Sequence, residues 1–499
     1  MSEHGSFSEQ ASIYDDTDTG SVGRVVVIAS VAALGGFLFG YDSAVINGAV
    51  AAVADEFNVA PGPLGFAVAS ALLGAAFGAL TAGKFADRFG RLFTMKIAAV
   101  LFLVSAIITG LAPNLAVFIV GRLVGGVGVG VASVIAPAYI AEVSPARIRG
   151  RLGSLQQLAI VTGIFLSLLV DFVLARAAGG SRSDLWLGLE AWRWMFLAMT
   201  IPAVAYGLLT LVIPESPRYL IAMFRIPEAR KVLSTLLGEP GVDIKVERIR
   251  ETLQHETRPS WADLRAPRTG LLPIVWVGLG LSVFQQFVGI NVIFYYSNIL
   301  WEAVGFSEND SFVITVITSA VNIATTVVAI ASIDRFGRRP LLLIGSVGMA
   351  VTLGVMAVIF GFAPVNAEGA PQLSGASGPI ALIAANLFVV AFGMSWGPVV
   401  WVLLGEKFPN RIRAAALAFA AGGQWVANWL ITVSFPALKD ASLGLAYGFY
   451  SVCAVLSFFF VLRWVRETKG KELEEMRTEV APPSSSTDVD TTTETGGGR

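Results

Sequence analysis

Long apolar runs recur along the whole chain and constrain its fold more than any other feature. A helix needs about 18 such residues to cross roughly 30 Å of hydrocarbon. We place twelve runs near 25–50, 64–83, 92–112, 115–138, 152–175, 193–213, 271–301, 312–333, 341–362, 379–404, 414–435 and 443–463. Only 14% of the 499 residues are charged and 55% are hydrophobic, whereas soluble domains carry about 25% charged residues. The sequence therefore predicts an all-α membrane protein with twelve transmembrane helices.

Arginine and lysine are concentrated in alternate connections between these runs. Cytoplasmic loops carry such an excess, so we expect these connections and both termini on the cytoplasmic side of a cell membrane. The N-terminus lacks a basic stretch and a cleavable apolar core, so the first run itself is expected to direct insertion. The basic connections contain Lys84, Arg88 and Arg91; Arg147, Arg149 and Arg151; segment 214–270; Arg335, Arg338 and Arg339; and Lys407, Arg411 and Arg413.

The chain repeats itself. The motif DRFGR occurs at Asp87–Arg91 and at Asp334–Arg338, each time after the second run of a group of six. AEVSPARIR and GEKFPNRIR, which end at Arg149 and Arg413, form a second related pair. Repeats of this kind place a substrate near the membrane midplane, between the two halves. We predict a disordered cytoplasmic N-terminus (1–23), a first six-helix bundle (24–213), a cytoplasmic linker with short helices (214–270), a second bundle (271–465) and a mostly disordered cytoplasmic tail (466–499).

Several classes of function are disfavoured by the composition. The net charge is −1 and no basic block stands out, which argues against nucleic acid as a partner. Neither a metal-ligand cluster nor a nucleophile constellation lies in the runs, so we expect no metal, no cofactor and no enzyme. GALTAGKF, ending at Phe85, has the spacing of a phosphate-binding loop but lacks its Ser or Thr, and it lies at the end of a membrane helix.

Asp42 lies inside the first apolar run and needs an explanation. An ionised carboxylate in hydrocarbon costs several kcal/mol unless it is paired. Counted from the outer ends of their runs, Asp42 and Arg122 lie at a similar depth, about 10–12 Å below the surface. We therefore expect the two to interact, with protonation of Asp42 releasing Arg122 and changing the balance of two conformations. The alternative is a permanent ion pair that only fixes helix packing. Asp171, in the fifth run, is a weaker candidate, expected at the interface within reach of water.

An unusually polar stretch, QQFVGINVIFYYSN, lies in the seventh run between Gln285 and Asn298. Amide and phenol groups donate and accept hydrogen bonds without charge, which suits a neutral polyhydroxyl solute. Aromatic rings can cover the apolar side of a sugar ring. Taken singly, each amide is better explained by helix-to-helix hydrogen bonding. Together the amides favour a sugar-sized polar substrate.

With these motifs the chain resembles the sugar porters of the major facilitator superfamily, over about residues 20–475. The resemblance is carried by GYD at Gly40–Asp42, GKFADRFGR, GR at Gly121–Arg122, EVSPARIRG, PESPRYL, QQFVGIN, DRFGRR and GPVVWVLLGEKFP. It is strongest to bacterial proton-coupled glucose permeases and extends to xylose/proton symporters. One departure is Arg466, where the family's motif after the twelfth helix has proline.

The resemblance implies a major facilitator fold, a bacterial plasma membrane, a monomer and no cofactor, with transport driven by a proton gradient. It implies Asp42 as the proton site and Arg122 as its partner. The implied sugar-binding residues are Gln157, Gln285, Gln286, Asn291, Asn322, Trp401, Gln424, Phe39 and Tyr295.

Acids and bases at the cytoplasmic helix ends are expected to form ion-pair networks that hold an inner gate shut and break when it opens. The alternative, that the basic members serve only topology, leaves the acids unexplained. The residues concerned are Asp87, Arg88, Arg91 and Glu142 in the first half and Asp334, Arg335, Glu406 and Arg413 in the second.

The sequence thus predicts a symporter that imports a hexose, with D-glucose as first candidate, together with a proton by alternating access. A proton-independent sugar facilitator is the first alternative. A membrane sugar sensor is a second, although the linker and tail are small for a signalling module.

Overall fold

The computed structural model describes residues 22–145, 148–237, 241–255, 261–266, 270–364, 372–408 and 412–467. The predictions for the two terminal segments therefore fall mostly outside the described residues. So do those for the side chains of Asp334, Glu406 and Arg413.

Nineteen helices and one small hairpin are described within these ranges. The first half contains α1 (Val22–Ala44), α2 (Ile46–Glu56), α3 (Pro61–Phe89), α4 (Arg91–Gly110), α5 (Leu115–Val143), α6 (Arg149–Ala178), β1 (Asp184–Trp186), β2 (Leu189–Glu190), α7 (Ala191–Ala198) and α8 (Thr200–Leu209). The linker contains α9 (Pro217–Ala222), α10 (Ile226–Leu237), α11 (Val242–His255) and a 3₁₀ turn at Trp261–Leu264. The second half contains α12 (Pro273–Phe287), α13 (Ile290–Ala303), α14 (Glu308–Phe336), α15 (Arg338–Gly361), α16 (Ser377–Gly393), α17 (Trp396–Lys407), α18 (Arg413–Ala441) and α19 (Leu443–Trp464).

Twelve spans in the described residues are long and apolar enough to cross a membrane, which confirms the predicted class. Four of them are built from two helices that follow one another: α1 with α2, α7 with α8, α12 with α13 and α16 with α17. The apolar runs continue through these breaks, so hydropathy alone does not reveal them. The antiparallel pair of β1 and β2, just before the sixth span, was not predicted either.

Helices within each half pack closely through small residues. Between α3 and α5, a Cβ added to Gly126 would stand 1.9 Å from the carbonyl oxygen of Ala71. Only glycine allows two backbones to touch in this way, and such contacts take over the role that hydrophobic burial has in water. The two halves meet along α3 with α18 and along α6 with α14.

The linker helices form a small apolar core of their own. Its buried members are Leu220, Ile221, Ala229, Leu233 and Val246. These residues lie on one side of α9, α10 and α11, as expected for short amphipathic helices. We call the face of the protein that carries Asp87 and Glu142 the inner face, following the charge rule, and the opposite face the outer face.

Candidate functional site

The first span breaks at Val45, next to its buried charge. Asp42 lies in the last turn of α1 and is only 1% exposed. Arg122, on α5, is 2% exposed, and its Nη1 lies 3.4 Å from Asp42 Oδ1. The same Nη1 donates a hydrogen bond to the Asp42 backbone carbonyl, at 2.9 Å. The two opposite charges thus meet at one depth inside the membrane, as an ion pair that is not a direct hydrogen bond between the side chains.

The pair has further neighbours on α5 and α7. A Cβ on Gly125 would stand 2.8 Å from Asp42 Oδ1, so glycine leaves room for the carboxylate beside α5. The Arg122 guanidinium also lies 5.9 Å from the ring centre of Phe196. Because Arg122 keeps the backbone carbonyl and this ring as partners, neutralising Asp42 does not leave the arginine without a contact.

A small cavity beside the ion pair is shared by the two halves. Asp42, Ser43 and Arg122 line it from the first half, and Tyr295 of α13 lines it from the second. Tyr295 interacts electrostatically with both charged residues, and its hydroxyl is adjacent to Ser43 and Asn428. A side chain of the second half thus lies at the cavity that contains the buried charges.

The amides of the seventh span lie at two helix breaks in the second half. Gln285 Nε2 donates to the carbonyls of Trp396 (2.8 Å) and Gly397 (3.1 Å), where α16 gives way to α17. Asn291 Nδ2 donates to Gln286 Oε1 at 2.6 Å, across the break at Gly289 between α12 and α13. The first two bonds hold Gln285 against the opening turn of α17, and the third joins the side chains on either side of the break at Gly289.

The remaining predicted sugar ligands are distributed over several helices. Phe39 and Trp425 approach to 6.0 Å between ring centres, which connects α1 with α18. Asn322 is 7% exposed on α14, and its Oδ1 lies beside Gly393 of α16. Gln157 on α6 and Gln424 on α18 are half-buried. Trp401 is 43% exposed, so it is not enclosed with the buried amides in this arrangement.

At the inner face, the predicted ion pairs of Arg91 are present and lie within the first half. Arg91 Nη2 is 3.0 Å from Glu142 Oε1, and Arg91 Nη1 is 3.1 Å from Asp87 Oδ1. These contacts join the ends of α3, α4 and α5. Arg88 is exposed and stacks over Phe89. Arg335 is likewise exposed, over Phe336. Whether the ion pairs hold a gate shut stays a prediction, since Arg91 does not reach the second half through them.

Two glutamates that the sequence analysis did not select cap helices at this face. Glu215 accepts from the backbone N–H groups of Arg91 (3.0 Å) and Leu92 (3.2 Å) at the start of α4. Glu467 accepts in the same way from Arg338 (3.0 Å) and Arg339 (2.9 Å) at the start of α15. A carboxylate at a helix N-terminus satisfies unpaired N–H groups and complements the helix dipole. In the sequence, these caps could have been found from the Glu-Ser and Glu-Thr pairs that follow the sixth and twelfth spans.

Asn47, also not selected, joins the halves near the outer face. Its Nδ2 donates to the Phe294 carbonyl (3.1 Å), and its Oδ1 accepts from the Asn298 backbone N–H (3.0 Å). We call this pair of bonds between α2 and α13 the outer latch. A second contact between the halves is made by Glu308, whose Oε1 accepts from the Ser181 backbone N–H at 3.0 Å. In the sequence, this contact could have been suspected from an asparagine within the apolar first run.

Two six-helix bundles that meet around buried polar groups, with broken helices at those groups, define a membrane transporter.

Comparisons with known proteins show which family of transporters this is. The chain matches the family model for sugar and other transporters over residues 28–480. It is 57% identical to the glucose transport protein of a Synechocystis species, over 92% of this chain and 98% of that protein. The D-xylose-proton symporter of Escherichia coli is 38% identical, over 90% of this chain and 94% of that protein.

Solved structures agree with the sequence comparison. The inward open conformation of the xylose transporter XylE from E. coli superposes with a TM-score of 0.78 at 37% identity, covering 92% of this chain and 100% of that chain. The chain therefore belongs to the sugar porter family of the major facilitator superfamily, as the resemblance implied. It is a multi-pass membrane protein of a family of transporters.

Proposed function

We propose that the protein is a proton-coupled sugar symporter that imports a hexose, with D-glucose as first candidate, by alternating access. The observation that carries the proposal is the buried Asp42–Arg122 pair, which shares a cavity with Tyr295 of the other half. The names of the relatives support the choice of solutes. One is called a glucose transport protein and two are called proton symporters, for xylose and for arabinose.

The coupling step follows from the charges. With Asp42 ionised, attraction to Arg122 holds α1 against α5, because a buried pair is costly to break. A proton entering from outside forms an O–H bond on Asp42 and removes this attraction, so that the hydrogen bond to the Asp42 carbonyl is the contact of Arg122 with α1 that remains. Held less firmly, α1 can then move relative to α13, whose Tyr295 lines the cavity beside Asp42 and whose Asn291 is one of the amides of the second half. Sugar held by those amides favours the same movement, which links the two solutes.

The sugar site is proposed to comprise Gln157, Gln285, Gln286, Asn291, Asn322, Trp401, Gln424, Phe39 and Tyr295. Amide groups would bond the hydroxyls, and the aromatic rings would cover the C–H faces. Gln285 Oε1 and Gln424 Oε1 are buried acceptors without a hydrogen-bond partner among the described residues, which suits donation from sugar hydroxyls. Both termini are proposed to be cytoplasmic and the working unit a monomer.

Sugar-induced alkalinisation outside proteoliposomes tests the proposal. Glucose, xylose and galactose are offered in turn to the wild type, to Asp42→Asn and to Asp184→Asn, which removes an exposed carboxylate on β1 as a control. We expect one sugar to cause proton uptake in the wild type and the control. Asp42→Asn should lose proton uptake and still exchange that sugar across the membrane. Sugar flux without any proton signal in the wild type would instead identify a facilitator.

A further inference from the structure

Asp171, in the fifth span, has surroundings that the transport scheme above does not use. It is 0% exposed, so the expectation that it lies at a wet interface is wrong. The reason is that α2 covers it: a Cβ on Gly48 would stand 2.8 Å from both Asp171 Cβ and Oδ2. Neither carboxyl oxygen has a side-chain hydrogen-bond partner among the described residues, and the nearby Tyr41 hydroxyl is also unpartnered. Asp171 is thus a buried carboxyl group packed against the outer segment of the first span.

The described residues also provide no cation for Asp171. Five helices and β1 pack against α6: α1, α2, α5, α7 and α14. On these elements, Tyr41 of α1 is a titratable group that interacts electrostatically with the carboxyl group. In the described part of the chain, the charged groups on these elements and on α6 have other partners or are exposed: Asp42 with Arg122, Glu142 with Arg91, Arg176 over Phe172, Arg193 with Glu56, Asp55 with Arg182, Glu308 with Ser181, Asp310 with Ser307, and Arg24, Asp184 and Arg335 exposed.

A carboxylate in this environment is costly in its charged form. Ionised in this buried site without a cation, it would cost several kcal/mol, of which the neighbouring Gly48 backbone N–H offsets only a part. The neutral acid has no such cost and fits the contact with Gly48. The close contact with Gly48 therefore favours the neutral form of Asp171.

Gly48 connects this carboxyl group to the outer latch. It follows Asn47 directly, so the segment that lies on Asp171 is the one that bonds α13 of the second half. We propose that Asp171 is a second proton-binding site inside the membrane, which exchanges protons with the outer side and holds α2 in its latched position when neutral. Movement of α2 away from α6 would admit water and let Asp171 ionise.

The path of the proton at this site differs from its path at Asp42. When α2 closes, a proton from outer water forms an O–H bond on Asp171. When α2 opens, the same proton returns to outer water, so Asp171 carries nothing across the membrane. It makes closure of the outer face depend on the external pH. The inference rests on the alternating access proposed above and not on coupling at Asp42.

Hydrogen–deuterium exchange of the amides in α2, Ile46–Glu56, measures the release of this segment. Rates are recorded on the full-length protein in detergent between pH 5.5 and 8.5 and corrected for intrinsic base catalysis. One proton lost on opening gives up to about a tenfold rise per pH unit. We expect such a rise in the wild type and in the exposed-carboxylate control Asp184→Asn. A flat corrected profile in the wild type would overturn the proposal.

Asp171→Asn keeps the size of the side chain and removes its titration. We expect its α2 amides to stay protected across the pH range, whereas Asp42→Asn should keep the wild-type rise. The proposal fails if Asp171→Asn retains the pH dependence, or if Asp42→Asn abolishes it, because the titrating group would then be Asp42. Since the readout needs neither sugar nor proton flux, it remains valid if the symporter proposal is wrong.

A second test changes the side-chain volume at the contact and can be used if Asp171→Asn does not fold. Gly48→Ala places a methyl group against the carboxyl group and should speed α2 exchange severalfold, although alanine favours a helix over glycine. Combining it with Asp171→Ala restores space and should return the rate toward that of Asp171→Ala alone. Additive effects in the double variant would contradict contact at this position.

Discussion

At the scale of single residues, the two capping glutamates depend on the glycines beside them. Gly90 and Gly337 precede α4 and α15 with φ of +98° and +87°, a region that side chains rarely adopt. A Cβ on Gly90 would lie 2.4 Å from Glu215 Oε2, and one on Gly337 would lie 2.8 Å from Glu467 Oε2. The repeated motif DRFGR therefore needs its glycine both for backbone conformation and for access of a carboxylate.

Gly90→Ala is expected to destabilise the folded protein by at least about 2 kcal/mol, because it combines backbone strain with a clash against Glu215. Thermal unfolding in detergent measures the effect. Gly83→Ala is the matched control, since this glycine lies in α3 with nothing within 4 Å of an added Cβ. Its melting temperature should stay the same or rise, and equal losses in the two variants would argue against the cap.

Intramembrane charges were easier to interpret from sequence than charges at the surface. Asp42 and Arg122 are isolated in apolar runs, so depth along each helix was enough to suggest that they meet. Glu215 and Glu467 lie among many other charged residues of the loops, where composition does not distinguish a cap from a solvated side chain. Asp171 was misjudged because its burial depends on the position of α2, which no pattern within the fifth run encodes.

At the scale of elements, the short helix α2, which is the outer segment of the first span, contacts both halves of the protein. It follows the break at Val45, lies on α6 through Gly48 and bonds α13 through Asn47. Twelve spans could be read from apolar length, yet this break could not, because alanine and valine continue through it. The position of a hinge is set by contacts between helices, and a single run of residues contains no information about them.

Asn47→Ala is expected to weaken closure of the outer face. Two buried hydrogen bonds between the halves are lost, each worth about 1 kcal/mol. In a Cys453→Ser background, a Ser43→Cys probe lies in the cavity beside Asp42. An impermeant thiol reagent added outside should label it about ten times faster or more after Asn47→Ala.

The matched control for the latch is Asn386→Ala, since the Asn386 amide bonds the Leu382 carbonyl within its own helix. Labelling of Ser43→Cys should stay at the parent rate in this variant. If both asparagine variants accelerate labelling alike, the effect is a general loss of stability and the latch has no special part in it.

At the scale of the whole molecule, the first half places the Asp42–Arg122 pair and the second half places Tyr295 at a shared cavity. The division into halves and the membrane class follow from repeats and apolar length, and both agree with the family found. The pairing of Tyr295 with the Asp42 site could not be obtained in the same way. It depends on how the halves dock, which joins residues about 250 positions apart, as in the outer latch.

A symporter that moves one proton per sugar should accumulate sugar by about tenfold for each unit of inward pH gradient, since one pH unit corresponds to about 1.4 kcal/mol. Steady-state sugar ratios in proteoliposomes measure this. Asp42→Asn should give a ratio of one at any gradient, and a protonophore should do the same to the wild type. Asp171→Asn should reach the wild-type ratio, because its proton returns to the side from which it came.

The glutamate caps also have a consequence for biosynthesis. Glu215 lies 124 positions after the amide it caps, and Glu467 lies 129 positions after its own. Each half therefore acquires its cap only when its sixth helix has left the ribosome and reached the inner face. The first bundle can therefore fold as a unit while the second is still being translated. The cap that stabilises the start of α4 comes from the first half itself and does not require the second half.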